Sequence, residues 1–89
     1  MKHYILEITE INGEYEYPAR VLFNAEDDDS AHDIAEEITL DFRGSAEWED
    51  GEGSTLAWND DGRTAIRWGG FHEVSESDYE VLKKYLAVL

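Results

Sequence analysis

Twenty-two of the 89 residues are carboxylates, and their spacing is where chemistry has to be sought. Asp29, Asp33, Glu37 and Asp41 recur every fourth residue, which on an α-helix stacks them in one row. The run Glu26-Asp27-Asp28-Asp29 opens that row, and Glu47, Glu49, Asp50 and Glu52 follow it. Paired carboxylates can perform acid–base work on a glycosidic bond or ligate a divalent cation. Abundance weakens the first use, because among twenty-two acids some pair always lies at a catalytic separation. For the second, Glu26 to Asp29 reads first as a solvated loop. Other motifs break at a residue. A calcium loop centred on Gly62 would need ligands at Ala57 and Trp68. His72-Glu73 begins a zinc-protease signature, but Glu76 stands at the second histidine position. Gly51-Glu52-Gly53 is followed by neither a lysine nor a phosphate-binding helix. His3, His32 and His72 lack a sequence-local nucleophile, and the absence of cysteine removes thiolates, disulfides and Cys-ligated metals. The expectation is a protein that is not an enzyme, with no cofactor, metal or catalytic residue.

What remains is electrostatic. The formal net charge is −15, and residues 26 to 61 hold fourteen acids and one base, Arg43, a local sum of −13. That balance argues against direct binding to nucleic acid, which relies on Lys and Arg to neutralise phosphates, and against anionic membranes. Its asymmetry points to an interaction surface. Like charges at i,i+4 cost about 0.2–0.5 kcal/mol a pair, so the three pairs of the row cost on the order of 1 kcal/mol. A surface shaped by stability alone mixes its signs. Leu40 falls near the centre of the acidic side of the helical wheel, either as an isolated surface leucine or as an apolar anchor within a charged rim. Trp48, between Glu47 and Glu49, is the tryptophan expected to make contacts. Trp58 and Trp68 sit at strand positions and are expected in the core. Arg63 and Arg67 share a strand face and are expected to pair with neighbouring acids.

The elements that must hold these residues follow from periodicity. Tyr4 to Ile11 and Glu14 to Phe23 flank Asn12-Gly13, a hairpin signal that pairs Ile8 with Tyr17, Leu6 with Ala19 and Tyr4 with Val21. Pro18 marks an edge or a bulge. From Ser30 to Arg43 the stripe Ala31, Ile34, Ala35, Ile38, Phe42 predicts a helix, capped by Asp29 or Ser30 and stopped by Gly44. The acidic stretch from Glu47 to Gly53 reads as a loop. Thr55 to Trp58 and Arg63 to Trp68 form a second hairpin, with a bulge or bend at Gly69-Gly70 before Phe71 to Val74. Ser75 caps a second helix whose face runs Tyr79, Leu82, Leu86, Leu89, with Glu80 and Lys84 as an i,i+4 pair. The expected fold is one α+β domain over residues 1–89: an antiparallel β-sheet with two α-helices on one face, in the order ββαββα.

A domain of this length should be about 30 Å across. A duplex of that length carries roughly 18 charges, comparable with this chain's −15. In its small size, acidity, lack of cysteine and the stretches EDDD, DIAEEITLD and EWEDGE, the chain resembles, as a class, the small acidic DNA-mimic inhibitors of phages and other mobile elements, such as anti-CRISPR and anti-restriction proteins. The resemblance implies stoichiometric blocking of a basic DNA- or RNA-binding protein, such as a CRISPR or restriction effector, by occupation of its groove. The candidate partner-binding residues are Glu26, Asp27, Asp28, Asp29, Asp33, Glu36, Glu37, Leu40, Asp41, Glu47, Trp48, Glu49 and Asp50. Two other readings stand beside this one: a small acidic interaction or accessory module without mimicry, and a halophile's protein whose acidity maintains solubility. Apolar stretches of a few residues fall far short of the roughly 20 needed to span a bilayer. Acids inside MKHYILEITE are incompatible with a secretory signal, so a cytoplasmic protein is expected.

Overall fold

Gly13 decides how the chain first turns back on itself. In the computed structural model, which describes residues 1–42, 44, 46–49, 55–59 and 62–89, β1 (Lys2–Asn12) and β2 (Tyr15–Ala25) form an antiparallel hairpin. The central pair of its turn is Gly13-Glu14, not Asn12-Gly13. Gly13 has φ 64°, and no described non-glycine residue has a positive φ. That is the pattern of a type II′ turn, which asks the left-handed region of its first central residue only; a type I′ turn on Asn12-Gly13 would ask it of both. The register therefore differs by two from the predicted one: Ile8 pairs with Ala19, Leu6 with Val21 and Tyr4 with Phe23. An even shift leaves the pleat unchanged, so the expected face still points to the core. It also sets the Phe23 ring 5.3 Å from that of Tyr4.

β3 (Ala46–Trp48), β4 (Leu56–Asn59) and β5 (Thr64–Val74) complete a five-stranded antiparallel sheet in the order β2-β1-β5-β4-β3. The class is α+β, with two helices packed on the sheet. β2 is an edge, as Pro18 requires, since a central strand would need its missing N–H. β3 lies at the start of the acidic stretch read as a loop. There Glu47 is exposed between half-buried Ala46 and Trp48, the alternation of a strand at a sheet edge. β5 carries the expected bulge: Leu6 faces Phe71 and Ile8 faces Trp68, leaving Gly69 and Gly70 together opposite Glu7. A Cβ on Gly69 would lie 2.8 Å from the Glu7 carbonyl oxygen, and Gly70 has φ 92°, so both positions exclude side chains.

α1 (Asp28–Asp41) begins two residues before the predicted start. Its N-cap is Asp27, whose carboxylate accepts the Ser30 N–H at 2.8 Å, so neither Asp29 nor Ser30 caps it. That backbone donor also holds the Asp27 carboxyl below the usual carboxylate pKa. At the other end Gly44, with φ 103°, donates its N–H to the Asp41 carbonyl, as a glycine stop should. The predicted stripe is present: Ala31 and Ala35 are fully buried, and Ile34, Ile38 and Phe42 pack on the cluster of Tyr4, Leu6, Ile8, Val21, Phe23 and Ile66. Thr39 joins the buried side because its hydroxyl donates to the Ala35 carbonyl at 2.8 Å and so enters satisfied.

Buried Tyr4 ties β1 to the first turn of α1 by donating its hydroxyl to Asp28 Oδ1 at 2.7 Å. Burial, reinforced by that acceptor and the surrounding acids, pushes its pKa up to about 12. The folded state thus favours the neutral phenol. The associated stability is complete below about pH 10, the unfolded value, and is lost as pH climbs to about 12. Urea unfolding between pH 8 and 12 should show that decline in the wild type and a shallower one in Tyr4→Phe. Identical pH profiles would remove Tyr4 as its source.

α2 (Glu76–Leu82) is capped as predicted, with Ser75 Oγ accepting the Asp78 N–H at 3.1 Å. Two details differ from the expected arrangement. The helix stops at Leu82, and the chain continues to a parallel bridge between Leu22 and Val88, so Leu86 and Leu89 do not extend its face. At its C-cap, Lys83 rather than Lys84 pairs with Glu80, at 2.7 Å. α2 reaches the sheet through Tyr79, whose ring stacks on His3 at 3.9 Å while its hydroxyl accepts from Asn24 at 3.5 Å. His3 and Asn24 alternate along their strands with Tyr4 and Phe23, the residues beneath α1. This contact therefore falls on the opposite side of the sheet, not on one shared face.

Candidate acidic docking site

The acidic row stands on a fixed helix. Caps at both ends and the Ala31–Ala35 side against the core set its orientation, and Asp29, Asp33, Glu37 and Asp41 are all exposed. Among the described residues no base forms an ion pair with Asp29, Glu37 or Asp41, and Asp33 has only the His32 imidazole, at 3.9 Å. A row of i,i+4 residues drifts about 40° around a helix at each step, so Asp41 is turned roughly 120° from Asp29. The row accordingly winds toward the β2 edge, where Glu37 and Asp41 flank Val21, Ile38, Phe42, Ala87 and Leu89.

The other predicted residues divide. Glu26, Asp27 and Asp28 are exposed ahead of the row, but two of them have internal tasks: Asp27 caps α1 and Asp28 holds Tyr4. Their charge still contributes to the field, while those carboxylates are committed. Glu36 is half-buried and meets His32 Nδ1 at 3.0 Å. Leu40 is half-buried, not a protruding anchor. Glu47 and Glu49 are exposed on and beside β3, at the far end of the sheet from β2. Asp50 lies outside the described residues, as do Glu52, Asp60 and Asp61.

Trp68 packs against the core as expected, while Trp48 and Trp58 exchange their predicted roles. Trp48 is half-buried with its ring edge-on to Trp68 at 6.2 Å, and Trp68 also meets Phe71 at 5.9 Å and His32 at 5.7 Å. Trp58 is 39% exposed. The cause is strand alternation: Ala57 turns fully into the core, so its neighbour Trp58 turns away, while Trp48, paired with Ala57, follows Ala57 inward. On the same side as Trp58, Arg67 pairs with Glu16 at 2.8 Å, the kind of partner expected for it.

One group went undetected among the catalytic motifs. His32, Asp33 and Glu36 place a ligand atom each within 4.8 Å of one another. The His–Glu i,i+4 spacing within a predicted helix is the signal that marks it. Three donors from one exposed helix are fewer than the four that close a structural zinc site. What the geometry provides directly is an imidazole steadied between a carboxylate and two aromatic rings.

The chain matches no protein-family model, no curated protein and no solved structure. Among the described residues no helix is long and apolar enough to cross a membrane. The site's own geometry is a row of exposed carboxylates on α1, none paired with a Lys or Arg among the described residues, leading to an apolar groove.

Proposed function

We propose that this protein binds and blocks a basic nucleic-acid-binding protein in the cytoplasm, such as a CRISPR or restriction effector, with α1 in the place of a phosphate backbone. The observation that carries this is the exposed row on α1, which pairs with no Lys or Arg among the described residues and whose carboxylates recur about every 6 Å. A helix already fixed by its caps and core side loses little freedom on binding, which favours affinity. The molecule is 39 Å long. A duplex of that length carries roughly 23 charges, so the −15 here is roughly two-thirds of a duplex's charge.

Affinity capture from the native host at low ionic strength should recover a basic nucleic-acid-binding protein. Excess duplex DNA should release it, and its affinity should fall steeply as salt rises. Recovery of no such protein would overturn the proposal. A partner retained through both high salt and excess DNA would favour the interaction-module reading instead. Exposed Trp58, on the sheet side away from α1, is the observation behind that second reading.

A further inference from the structure

We infer that the groove between the C-terminal half of α1 and the tail after α2 is the anchor pocket of the acidic face, taking one large apolar side chain of the basic partner flanked by Lys or Arg. This rests on the reading of α1 as a face for a basic protein. The groove measures about 450 Å³; Val21, Ile38 and Phe42 form its apolar floor, and Ala87 and Leu89 its wall. Pockets for whole small ligands commonly measure roughly 300–1,000 Å³, so the groove has ample room for one large side chain.

Both sides are held in place before any partner arrives. Val21 is 6% exposed and belongs to the core, so the floor is the core's own surface. The wall is fixed because the Leu22 N–H donates to the Ala87 carbonyl and the Leu89 N–H to the Leu22 carbonyl, each at 2.8 Å. The exposed carboxylates on the rim are Glu37 and Asp41, the last two of the row. The drift of the row around α1 thus delivers its charges to the groove, and a cationic segment following them is led there. Charge complementarity selects the occupant: an apolar side chain alone would leave the two rim carboxylates without partners, whereas flanking Lys or Arg would meet both. Attraction along the row sets the association rate and the inserted side chain slows release. Leu40 lies roughly 160° around the helix from Ile38, so it does not share this groove. The apolar contact is a pocket offered to the partner, not a knob extended toward it.

Two synthetic peptides test this against the full 89-residue chain: Arg-Lys-Leu-Arg-Lys and its counterpart with Ser in place of Leu. At low salt the Leu peptide should bind roughly fivefold to tenfold more tightly, as expected for partial burial of one leucine side chain. It should shift the backbone amide resonances of Val21, Ile38, Phe42 and Ala87. Ala87→Trp, which fills the groove from an exposed position, should erase the preference. Equal affinities, with the resonances of Asp29, Asp33, Glu37 and Asp41 shifted but those of Val21, Phe42 and Ala87 unmoved, would overturn the groove and leave the acidic face standing. No shift with either peptide would overturn both.

Discussion

Replacing Asp33, Glu37 and Asp41 together by Asn, Gln and Asn should abolish capture of the basic partner and at the same time stabilise the fold. The two effects have separate causes. On the stability side, the triple variant removes all three i,i+4 repulsions of the row, each about 0.2–0.5 kcal/mol. It also removes a negative charge from the C-terminal end of α1, whose last turn contains no base to offset it. Asp33 gives back part of this, since a carboxylate nearer the helix N-terminus is favourable there. The net expectation is a gain of about 1 kcal/mol, or roughly 4–8 °C in Tm for a domain of this size. On the binding side, three close charge pairs at about 1.5 kcal/mol each, the low end of measured couplings, correspond to a loss on the order of a thousandfold. Urea unfolding and titration of the partner measure the two independently. Affinity unchanged in the triple variant would remove the row from the interface. Lower stability would show that these carboxylates hold the fold, which their exposure and the absence of any Lys or Arg partner among the described residues argue against. If acidity served solubility alone, neutralisation would affect low-salt stability and leave no affinity to lose.

The parts of this structure that were legible in the sequence are those governed by one local period. Alternation along Tyr4, Leu6 and Ile8 marks a buried face whatever the register, so that face survives a hairpin shifted by two. The stripe from Ala31 to Phe42 marks α1, and the four-residue repeat of acids marks its outer row. Paired glycines opposite one residue announce the bulge. What could not be read depends on groups far apart in the chain. Asp28 looks like one more loop acid until Tyr4, 24 residues earlier, places a hydroxyl on it. Thr39 is polar by type and enters the core only because its own helix satisfies it. In a strand as short as β4, alternation leaves open whether Ala57 or Trp58 turns inward, and packing beneath α1 decides for the smaller side chain. The side of the sheet that receives α2 is settled by the stack of Tyr79 on His3, a contact 76 positions apart. The groove beside Glu37 and Asp41 has the same origin, since its wall comes from residues 87 and 89.

Phe23→Ala should be the most damaging single substitution in the core described here, at about 3–5 kcal/mol. Phe23 is fully buried and belongs to a set of three mutually touching rings: Tyr4 at 5.3 Å, Phe71 at 6.1 Å, and Tyr4 to Phe71 at 5.8 Å. These rings come from β2, β1 and β5, so they join three adjacent strands of the sheet directly beneath α1. Truncation removes the transfer free energy of the ring, leaves a cavity the surrounding strands cannot close, and forfeits about 0.5–1.5 kcal/mol for each aromatic pair. Against a total stability of roughly 0.05–0.15 kcal/mol per residue, such a loss consumes a large share of what holds an 89-residue domain folded. The cavity also lies under Tyr4, so the Tyr4–Asp28 bond and the first turn of α1 should loosen before the rest, visible as faster amide exchange at residues 28–32. Urea unfolding should show a lower midpoint with an unchanged slope, and Phe23→Leu should recover most of the loss. A cost below about 1 kcal/mol would mean the three rings are not the keystone of the core. Binding separates this variant from the neutralised row. Molecules of Phe23→Ala that remain folded keep all four carboxylates and should hold the basic partner with nearly wild-type affinity once corrected for the folded fraction. The triple variant is folded throughout and should not bind. The triple variant thus loses binding without losing stability and Phe23→Ala loses stability without losing binding, as they must if the acids of α1 serve an interface and the rings beneath it serve the fold.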